Sequence, residues 1–325
     1  MKFYLGTWQV APSDGFWTGQ DLAESENVIS TAVKNGIFGF DTAQSYGKGQ
    51  AEQTLSKVLR RFCTGSTVTK GSTTTKGSTA TTASKTLQSF RIDTKIMPSS
   101  KDVESVLKSS IDRLKPFAID CLYLHWPKTG FDNENYIRQM LELKAKGLIR
   151  KVGVCNIPLE MLRDFEDKGI LIDRIQSPIS LLWTRDLDNM LRFCRENKIE
   201  VSAYSPTGMG LLSGKYHSKE DLGDARANIF CFNEKCYKPY LDLLDLISEI
   251  DERHETSNTK VALSWVISKN PDIIVIGARN KTQLTENLSE NIKLSASELS
   301  DLNRAAQKLD KASQDICTNI FSYEW

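Results

Sequence analysis

The stretch Gly36-Ile-Phe-Gly-Phe-Asp-Thr-Ala-Gln-Ser-Tyr-Gly47 indicates the fold class of this chain. Its first part, Gly36–Thr42, is short and mostly apolar, which predicts a buried strand that ends in a polar Asp-Thr pair. The segments on either side, Glu26–Lys34 and Ala51–Arg61, repeat apolar residues at helical spacing. A buried strand between two amphipathic helices is the repeating unit of a parallel sheet whose faces are covered by helices.

The same alternation of strand and helix runs through the rest of the chain, about eight times in 325 residues. That number of units predicts a (β/α)8 TIM barrel with long loops. The predicted strands are Phe3–Trp8, Gly36–Thr42, Phe90–Met97, Ile119–His125, Lys151–Asn156, Arg174–Pro178, Glu200–Ser205 and Asp272–Gly277. The predicted helices are Glu26–Lys34, Ala51–Arg61, Asp102–Leu114, Tyr136–Lys146, Leu159–Lys168, Leu187–Asn197 and Lys260–Lys269, and a capping box at Ser295-Ala-Ser-Glu298 opens an extra C-terminal helix, Glu298–Leu309, followed by a tail.

A doubly wound sheet would use the same elements, and it is the main alternative fold. It would usually bind a dinucleotide through G-x-G-x-x-G after its first strand. That fingerprint is missing, because Gly47-Lys-Gly49 is followed by Glu52 and Gly208-Met-Gly210 by Ser213. The sequence therefore favours the barrel.

We expect one domain over residues 1–325, interrupted by a low-complexity segment at about 64–86. This segment consists mainly of Thr, Ser, Gly and Lys, has no acidic residue, and contains Thr-Lys-Gly-Ser-Thr at 69–73 and again at 75–79. It offers too little apolar surface to offset the entropy lost on ordering. We interpret it as a tolerated insertion on the amino-terminal face of the barrel; a phosphorylated or partner-binding loop is the alternative.

The charge balance disfavours nucleic acid and anionic membranes as partners, since 42 Lys and Arg residues nearly cancel 41 Asp and Glu residues. The chain begins without an apolar leader and contains no run of eighteen apolar residues, which predicts a cytoplasmic protein. Seven scattered cysteines without C-x-x-C pairs indicate neither a disulfide framework nor a zinc ribbon.

Catalytic groups of a barrel lie at the carboxyl ends of its strands, and four polar residues stand at or just beyond predicted strand ends. Asp41 closes Gly-Phe-Asp-Thr-Ala, Tyr46 follows in Gln-Ser-Tyr-Gly, Lys95 lies in Arg-Ile-Asp-Thr-Lys-Ile, and His125 ends Cys-Leu-Tyr-Leu-His-Trp-Pro. Singly, each is more often a structural group than a catalytic one. Together, in order on the second, third and fourth strands, they indicate an active site.

In context and order these four residues resemble the catalytic tetrad of the aldo-keto reductase superfamily, and the resemblance covers nearly the whole chain. Other stretches resemble motifs of the same superfamily, and Arg-Ile-Asp-Thr-Lys and the C-terminal tail are more similar to its aflatoxin-aldehyde-reductase branch. These other stretches are Lys-Gly-Leu-Ile-Arg-Lys-Val-Gly-Val-Cys-Asn at 146–156, Ala-Tyr-Ser-Pro at 203–206, Gly-Leu-Leu-Ser-Gly-Lys-Tyr at 210–216 and Ile-Gly-Ala-Arg at 276–279.

The resemblance implies an NADPH-dependent enzyme that reduces an aldehyde or ketone by direct hydride transfer. Negative charge builds on the carbonyl oxygen, so Tyr46 would supply the proton. Lys95 would lower the high pKa of that tyrosine, and Asp41 would pair with Lys95. Neutral His125 would donate to the same oxygen.

The resemblance also implies a set of cofactor-binding residues. Asn156 and Gln176 would hold the nicotinamide carboxamide, Tyr204 would stack on its ring, and Arg279 would bind a 2′-phosphate, which favours NADPH over NADH. Cys155 replaces the usual serine, which removes one expected hydrogen bond and puts a thiol beside the cofactor. The full set is Cys155, Asn156, Gln176, Tyr204, Ser205, Leu211, Ser213 and Lys215, with Gly277, Arg279, Gln283 and Asn287 around a helix N-terminus that would face phosphate.

The substrate, a small carbonyl compound, is expected in a pocket with aromatic walls. Candidate lining residues are Trp8, Trp126, Phe230 and Phe232, with Phe321, Tyr323 and Trp325 in the tail. Two other functions stay open: a nicotinamide-binding regulatory subunit resembling potassium-channel β subunits, and a metal-dependent or hydrolytic barrel. The second is disfavoured because the chain has three histidines and neither H-E-x-x-H nor G-x-S-x-G.

Overall fold

Eight parallel strands close into a barrel in the computed structural model of the chain, which describes residues 1–11, 15–63, 87–317 and 319. Each strand pairs with its sequence neighbours, and the last pairs with the first. This confirms the predicted (β/α)8 barrel. The strands are β1 Lys2–Gly6, β2 Gly39–Asp41, β3 Arg91–Ile96, β4 Ile119–Leu124, β5 Ile149–Cys155, β6 Arg174–Pro178, β7 Glu200–Tyr204 and β8 Ile273–Ile276.

Most strands end earlier than predicted, because the backbone turns out of the sheet at their polar ends. After β1, the Thr7 N–H bonds to the carbonyl of Asp41 and Trp8–Val10 form a 3-10 turn. After β5, Asn156 takes a left-handed backbone conformation with φ of 55°. These turns direct the polar residues toward the rim of the barrel.

Ten α-helices follow the strands in the described ranges, and every predicted helix occurs. Two begin earlier than predicted and are capped by an aspartate: the side chains of Asp21 and Asp132 each accept a backbone N–H of the first turn. Asp102, predicted as the first residue of α3, is instead its cap and accepts the Ser105 N–H. The helices are α1 Leu22–Lys34, α2 Gln50–Cys63, α3 Val103–Leu114, α4 Asn133–Ala145, α5 Leu159–Asp167, α6 Leu187–Glu196, α7 Glu234–Arg253, α8 Asn258–Ser268, α9 Lys281–Leu288 and α10 Ala296–Ser313.

Helix α7 is the main omission of the sequence prediction, which places no helix between Leu187–Asn197 and Lys260–Lys269. In the structure the loop after β7 forms four short 3-10 turns, and α7 then runs for 20 residues against α10. Pro239 lies inside α7, where a proline ordinarily predicts a break.

The expected capping box of the last helix is present at Ser295 and Glu298. No helix in the described part of the chain is long and apolar enough to cross a membrane.

The large apolar core lies between the strands and the surrounding helices, whereas the inside of the barrel is filled mainly by aromatic and polar side chains. Tyr4 and Tyr123 point inward and pack on the neighbouring strands at Gly39 and Gly153. A Cβ atom at Gly39 would lie 2.1 Å from the Tyr4 ring. Tyr4 therefore helps to fill the inside of the barrel.

The interior also holds charged groups. The Arg174 guanidinium donates to Asp93 at 2.7 Å and pairs with Glu200 at 2.6 Å. Burial raises the pKa of Asp93 to about 7, although Arg174 opposes this shift. The 64–86 insertion and the aromatic tail residues 321, 323 and 325 lie outside the described residues.

The contact between Tyr4 and Gly39 makes the barrel interior intolerant of one extra methyl group. We expect Gly39→Ala to lower the free energy of unfolding by about 1–3 kcal/mol, because the ring or the strand must shift. Gly223→Ala is the control, since nothing lies within 4 Å of a Cβ atom there. Urea denaturation compares the two variants, and equal stability would show that the interior adapts freely.

Candidate active site

A cavity of about 700 Å³ opens at the carboxyl ends of the strands. Its size suits a cofactor together with a small ligand, since ligand pockets usually span a few hundred to a thousand cubic ångströms. Most of the site residues predicted from the sequence line it: Trp8, Asp41, Tyr46, His125, Trp126, Asn156, Gln176, Tyr204, Ser205, Ser213, Lys215, Gly277, Arg279, Gln283 and Asn287.

The floor of this cavity is built on an ion pair between β2 and β3. The Lys95 ammonium lies 2.5 Å from Asp41 Oδ1 and donates to the Thr42 carbonyl at 2.9 Å. The second oxygen of Asp41 accepts a hydrogen bond from the Gln176 amide at 2.7 Å. Burial lowers the pKa of Lys95, but Asp41, Tyr46 and Cys155 together outweigh burial, and the pKa lies above its usual value. Lys95 is therefore charged and has little freedom to move.

Tyr46 lies above this pair, with its hydroxyl 3.4 Å from Lys95 Nζ. Burial raises the pKa of Tyr46 to about 12; the charge of Lys95 lowers this pKa, and the charge of Asp41 raises it. Lys95 lowers the pKa of Tyr46, as expected, but burial raises it by more, so the pKa lies above its free value. Desolvation of the phenolate is the larger effect. The hydroxyl keeps its proton at neutral pH and is a donor.

His125 follows β4 and faces Tyr46, with the two ring centroids 5.8 Å apart. Burial and the nearby Lys95 charge lower the pKa of His125 well below its usual value. Its Nδ1 is buried and has no partner among the described residues. The imidazole is therefore neutral, as predicted, and a second proton-bearing group stands next to the tyrosine.

Amide groups form the side of the cavity between β4 and β7. The Asn156 amide donates to the His125 carbonyl at 3.1 Å and accepts from the Tyr204 hydroxyl at 2.7 Å. The Cys155 thiol lies behind them, 3.8 Å from the Gln176 carbonyl oxygen. Burial raises the pKa of Cys155 well above its usual value, so the thiol stays protonated. Cys155 does not line the cavity, unlike its neighbour Asn156.

The loop after β7 contributes the next part of the wall. Ser213 and Lys215 line the cavity, whereas Leu211 is fully buried. The Leu211 carbonyl accepts a hydrogen bond from the Tyr240 hydroxyl. Arg226 also lines the cavity and was missed by the sequence analysis. Its guanidinium is held by Asp224, and it lies 5.1 Å from the ring centroids of Trp17 and of Tyr216. Only the folded loop brings these groups together.

Arg279 stands at the far end of the cavity, after β8. It donates through Nη2 to the Thr18 carbonyl at 2.8 Å and through Nε to the Gln20 side chain at 3.2 Å. Its Nη1 has no partner in the described ranges. The guanidinium is therefore held by the loop between β1 and α1, and part of it is left for a ligand.

Two N–H groups in the first turn of α9, the helix expected to face phosphate, are bonded to side chains of the protein. The Lys281 N–H donates to Glu24, and the Gln283 N–H donates to the Asn280 cap, each at 2.9 Å. The Asn287 side chain donates to the Gly277 carbonyl at 3.0 Å. At this end of the cavity, the side chain of Arg279 is the cation available to an anion.

Aromatic rings cover one wall of the cavity. Trp8 stacks beside Tyr46 with ring centroids 6.2 Å apart, and Phe16 and Trp17 pack on Trp8 at 5.0 and 5.3 Å. Trp126 lies beside His125. Phe16 and Trp17 were missed by the sequence analysis.

Phe230 and Phe232, predicted to contact the substrate, do not line this cavity. Phe230 is buried against Trp183, with ring centroids 6.0 Å apart, and Phe232 packs on Tyr240 at 5.7 Å. Both rings fill the core beneath the loop after β7. In the described part of the chain, no group of His, Cys, Asp or Glu side chains is arranged to hold a metal ion.

Known proteins with similar sequences come from bacteria, plants and fungi. The NADH-specific methylglyoxal reductase of Escherichia coli is 27% identical over 314 residues, covering 94% of this chain and 95% of that protein. The aldo-keto reductase YhdN of Bacillus subtilis is 29% identical over 292 residues, covering 88% and 83%.

Solved structures share the fold. A glycerol dehydrogenase from Gluconobacter oxydans superposes with a TM-score of 0.71 at 23% identity and covers 93% of this chain and 90% of its own. A thermostable aldo-keto reductase in complex with the inhibitor epalrestat gives a TM-score of 0.69 at 23% identity, covering 93% and 94%. Residues 2–307 match the aldo/keto reductase family. The chain therefore belongs to this family, whose members are oxidoreductases that act on carbonyl groups with a nicotinamide cofactor.

Proposed function

We propose that this protein reduces an aldehyde or ketone to an alcohol with NADPH, and that Tyr46 is the proton donor. The observation that carries the proposal is the Tyr46 hydroxyl, 3.4 Å from a lysine whose charge is fixed by a buried aspartate. This arrangement offers a proton and stabilises the anion left behind. The cavity that it faces has room for both reactants.

The groups around the cavity fit a dinucleotide. Asn156 and Gln176 offer amide groups near Tyr46, as a carboxamide requires. Lys215 and Arg279 line the cavity, and neither has a carboxylate within ion-pair distance among the described residues. Cations without a counter-ion attract anionic ligands such as phosphates. These residues would therefore hold the nicotinamide at one end and the phosphates at the other.

When bound, the reduced nicotinamide supplies a hydride to the carbonyl carbon. Tyr46 donates its proton to the carbonyl oxygen as negative charge builds there, and Lys95 stabilises the resulting phenolate. Asp41 keeps the lysine in place. His125 donates a second hydrogen bond to the same oxygen through Nε2. Its buried Nδ1 has no partner among the described residues, and a buried N–H without an acceptor is rarer than a buried acceptor without a donor, so the proton belongs on Nε2.

NADPH is proposed over NADH because of Arg279. The guanidinium has N–H groups without described partners, and a forked cation suits a 2′-phosphate. The methylglyoxal reductase of Escherichia coli is named as NADH-specific, so the choice of cofactor is a point at which relatives differ. Trp8 and Trp126 support a small substrate with an apolar or aromatic body.

Replacing the proposed acid should separate chemistry from binding. We expect Tyr46→Phe to bind NADPH with unchanged affinity and to lose about 10²–10⁴-fold in kcat, the usual contribution of a general acid. NADPH absorbance with a panel of aromatic, aliphatic and dicarbonyl substrates measures turnover, and cofactor fluorescence measures binding. Turnover by the variant at the wild-type rate would show that Tyr46 is not the proton donor. Tight binding without turnover by the wild type would instead indicate a regulatory nicotinamide-binding subunit.

Arg279→Ala should weaken NADPH much more than NADH. Losing a charged hydrogen bond to a phosphate costs about 1.5–3 kcal/mol, or roughly a 10- to 100-fold loss of affinity. Titration of both cofactors against the variant and the wild type tests this. Arg304→Ala, on the solvent-exposed side of α10, is a control in which one surface arginine is lost without contact to the cavity. Equal losses for the two cofactors would mean that Arg279 does not bind the 2′-phosphate.

The rate of reduction should vary little with pH across the neutral range. A lowered pKa keeps His125 neutral down to acidic pH, and a pKa of about 12 keeps Tyr46 protonated well into alkaline pH. We therefore expect kcat to be level from about pH 6.5 to about pH 9. The measurement is kcat in constant-ionic-strength buffers. An inflection near pH 6.5 that disappears in His125→Asn would show that the histidine titrates in this range.

A further inference from the structure

We propose that Glu52 and Arg113 are positioning residues that keep the Tyr46 hydroxyl within hydrogen-bonding distance of Lys95. The inference rests on the proposed role of Tyr46 as the proton donor. Neither residue lines the cavity, so neither can act on a ligand directly. The proposal comes from the way these two side chains connect the loop that carries Tyr46 with the strand that carries Lys95.

The loop after Tyr46 has an unusual backbone. Gly47, Lys48 and Gly49 all take positive φ values, of 55°, 53° and 91°. Such a conformation costs free energy at a non-glycine residue, and it persists only where surrounding contacts enforce it. Tyr46 is the first residue of this turn, so the contacts that hold the turn also set the height of the phenol ring above Lys95.

Glu52 provides the contact to the strand. It lies in the first turn of α2 and is completely buried. Its Oε1 accepts a hydrogen bond from the Thr94 hydroxyl at 2.7 Å. Thr94 directly precedes Lys95 in β3, and its side chain points to the opposite side of the strand, toward the helices. One hydrogen bond therefore fixes the start of α2 to the strand residue beside the lysine.

Arg113 provides the contact to the turn. Its Nε donates to the other carboxylate oxygen, Glu52 Oε2, at 2.6 Å. The guanidinium also lies directly against Gly49, where a Cβ atom would be 2.5 Å from Nε. The same ion pair thus connects β3, α2 and α3 and packs on the last residue of the turn.

A second contact holds the loop on the side before Tyr46. The Gln44 side chain donates to the Val106 carbonyl at 3.0 Å and to the Ser109 hydroxyl at 2.6 Å, both on α3. Helix α3 therefore holds the loop both before and after the tyrosine. Since a hydrogen bond of 3.4 Å between Tyr46 and Lys95 is already long, a small shift of the loop would separate them.

The first test is a separation of kcat from cofactor binding. Glu52→Gln removes the charge that holds Arg113, and Thr94→Val removes only the hydrogen bond to Glu52 while keeping the shape of the side chain. We expect Glu52→Gln to lower kcat about 10- to 100-fold, as misplacement by roughly an ångström does. Thr94→Val should show a smaller loss, and it keeps the test available if Glu52→Gln folds poorly. Affinity for NADPH should change less than about twofold in both.

The matched control is Asp173→Asn, the same carboxylate-to-amide change in another ion pair. Asp173 precedes β6 at the opposite end of the barrel, where it accepts from Lys144 at 2.6 Å and from the Val152 N–H at 2.7 Å. We expect this variant to lose thermal stability and to keep its kcat. A similar loss of kcat in Asp173→Asn would mean that any weakened ion pair slows the enzyme, and it would overturn the proposal.

The second test asks whether Glu52 acts through Tyr46. If it does, adding Glu52→Gln to Tyr46→Phe should leave the residual turnover unchanged, because effects on one shared group are not additive. Equal slowing in both backgrounds, or a large loss of NADPH affinity, would overturn the positioning role while leaving Tyr46 as the acid. Equal turnover by the wild type and Tyr46→Phe would show that Tyr46 is not the acid, and this inference would fail with it.

Discussion

The buried ion pair between Asp41 and Lys95 is the constraint on which the carboxyl end of the barrel depends. Two charges withdrawn from water cost several kcal/mol each unless all their hydrogen-bonding groups are satisfied. Here the Thr42 carbonyl and the Gln176 amide complete the arrangement, at 2.9 and 2.7 Å. Three strands, β2, β3 and β6, are thereby held at fixed distances, and Tyr46 stands on a surface that cannot easily shift.

The layer below continues the same pattern. Asp93 precedes Lys95 by two residues on the inner side of β3, and Arg174 precedes Gln176 by two on β6, so the Asp93–Arg174 pair lies one layer beneath the first. Many barrels of this fold are filled instead by branched aliphatic side chains. In this chain the hydrophobic stabilisation comes mainly from the layer between strands and helices, and the interior supplies fixed charges beneath the site.

The neutrality of Tyr46 and His125 follows from this environment. Both side chains would be charged only at a desolvation cost, and the lysine charge next to them disfavours a second cation at the histidine. Two neutral donors beside one fixed ammonium are suited to an oxygen that gains negative charge during the reaction. The site thus stabilises the negative charge that develops on the carbonyl oxygen, although its own fixed charges are those of the Asp41–Lys95 ion pair.

The sequence by itself determined the alternation of strands and helices, the barrel and the order of polar residues at the strand ends, because periodicity and strand-end position are local properties. It also indicated Asp41, Tyr46, Lys95 and His125 as neighbours. Only the tertiary structure decided that burial has a larger effect on the pKa of Tyr46 than Lys95 has. It also decided that Arg226 and Trp17 meet at the cavity and that Phe230 packs in the core. Glu52 and Arg113 likewise connect the tyrosine loop to β3 only in the folded chain. These depend on desolvation and on contacts between segments far apart in the chain, which no local pattern encodes.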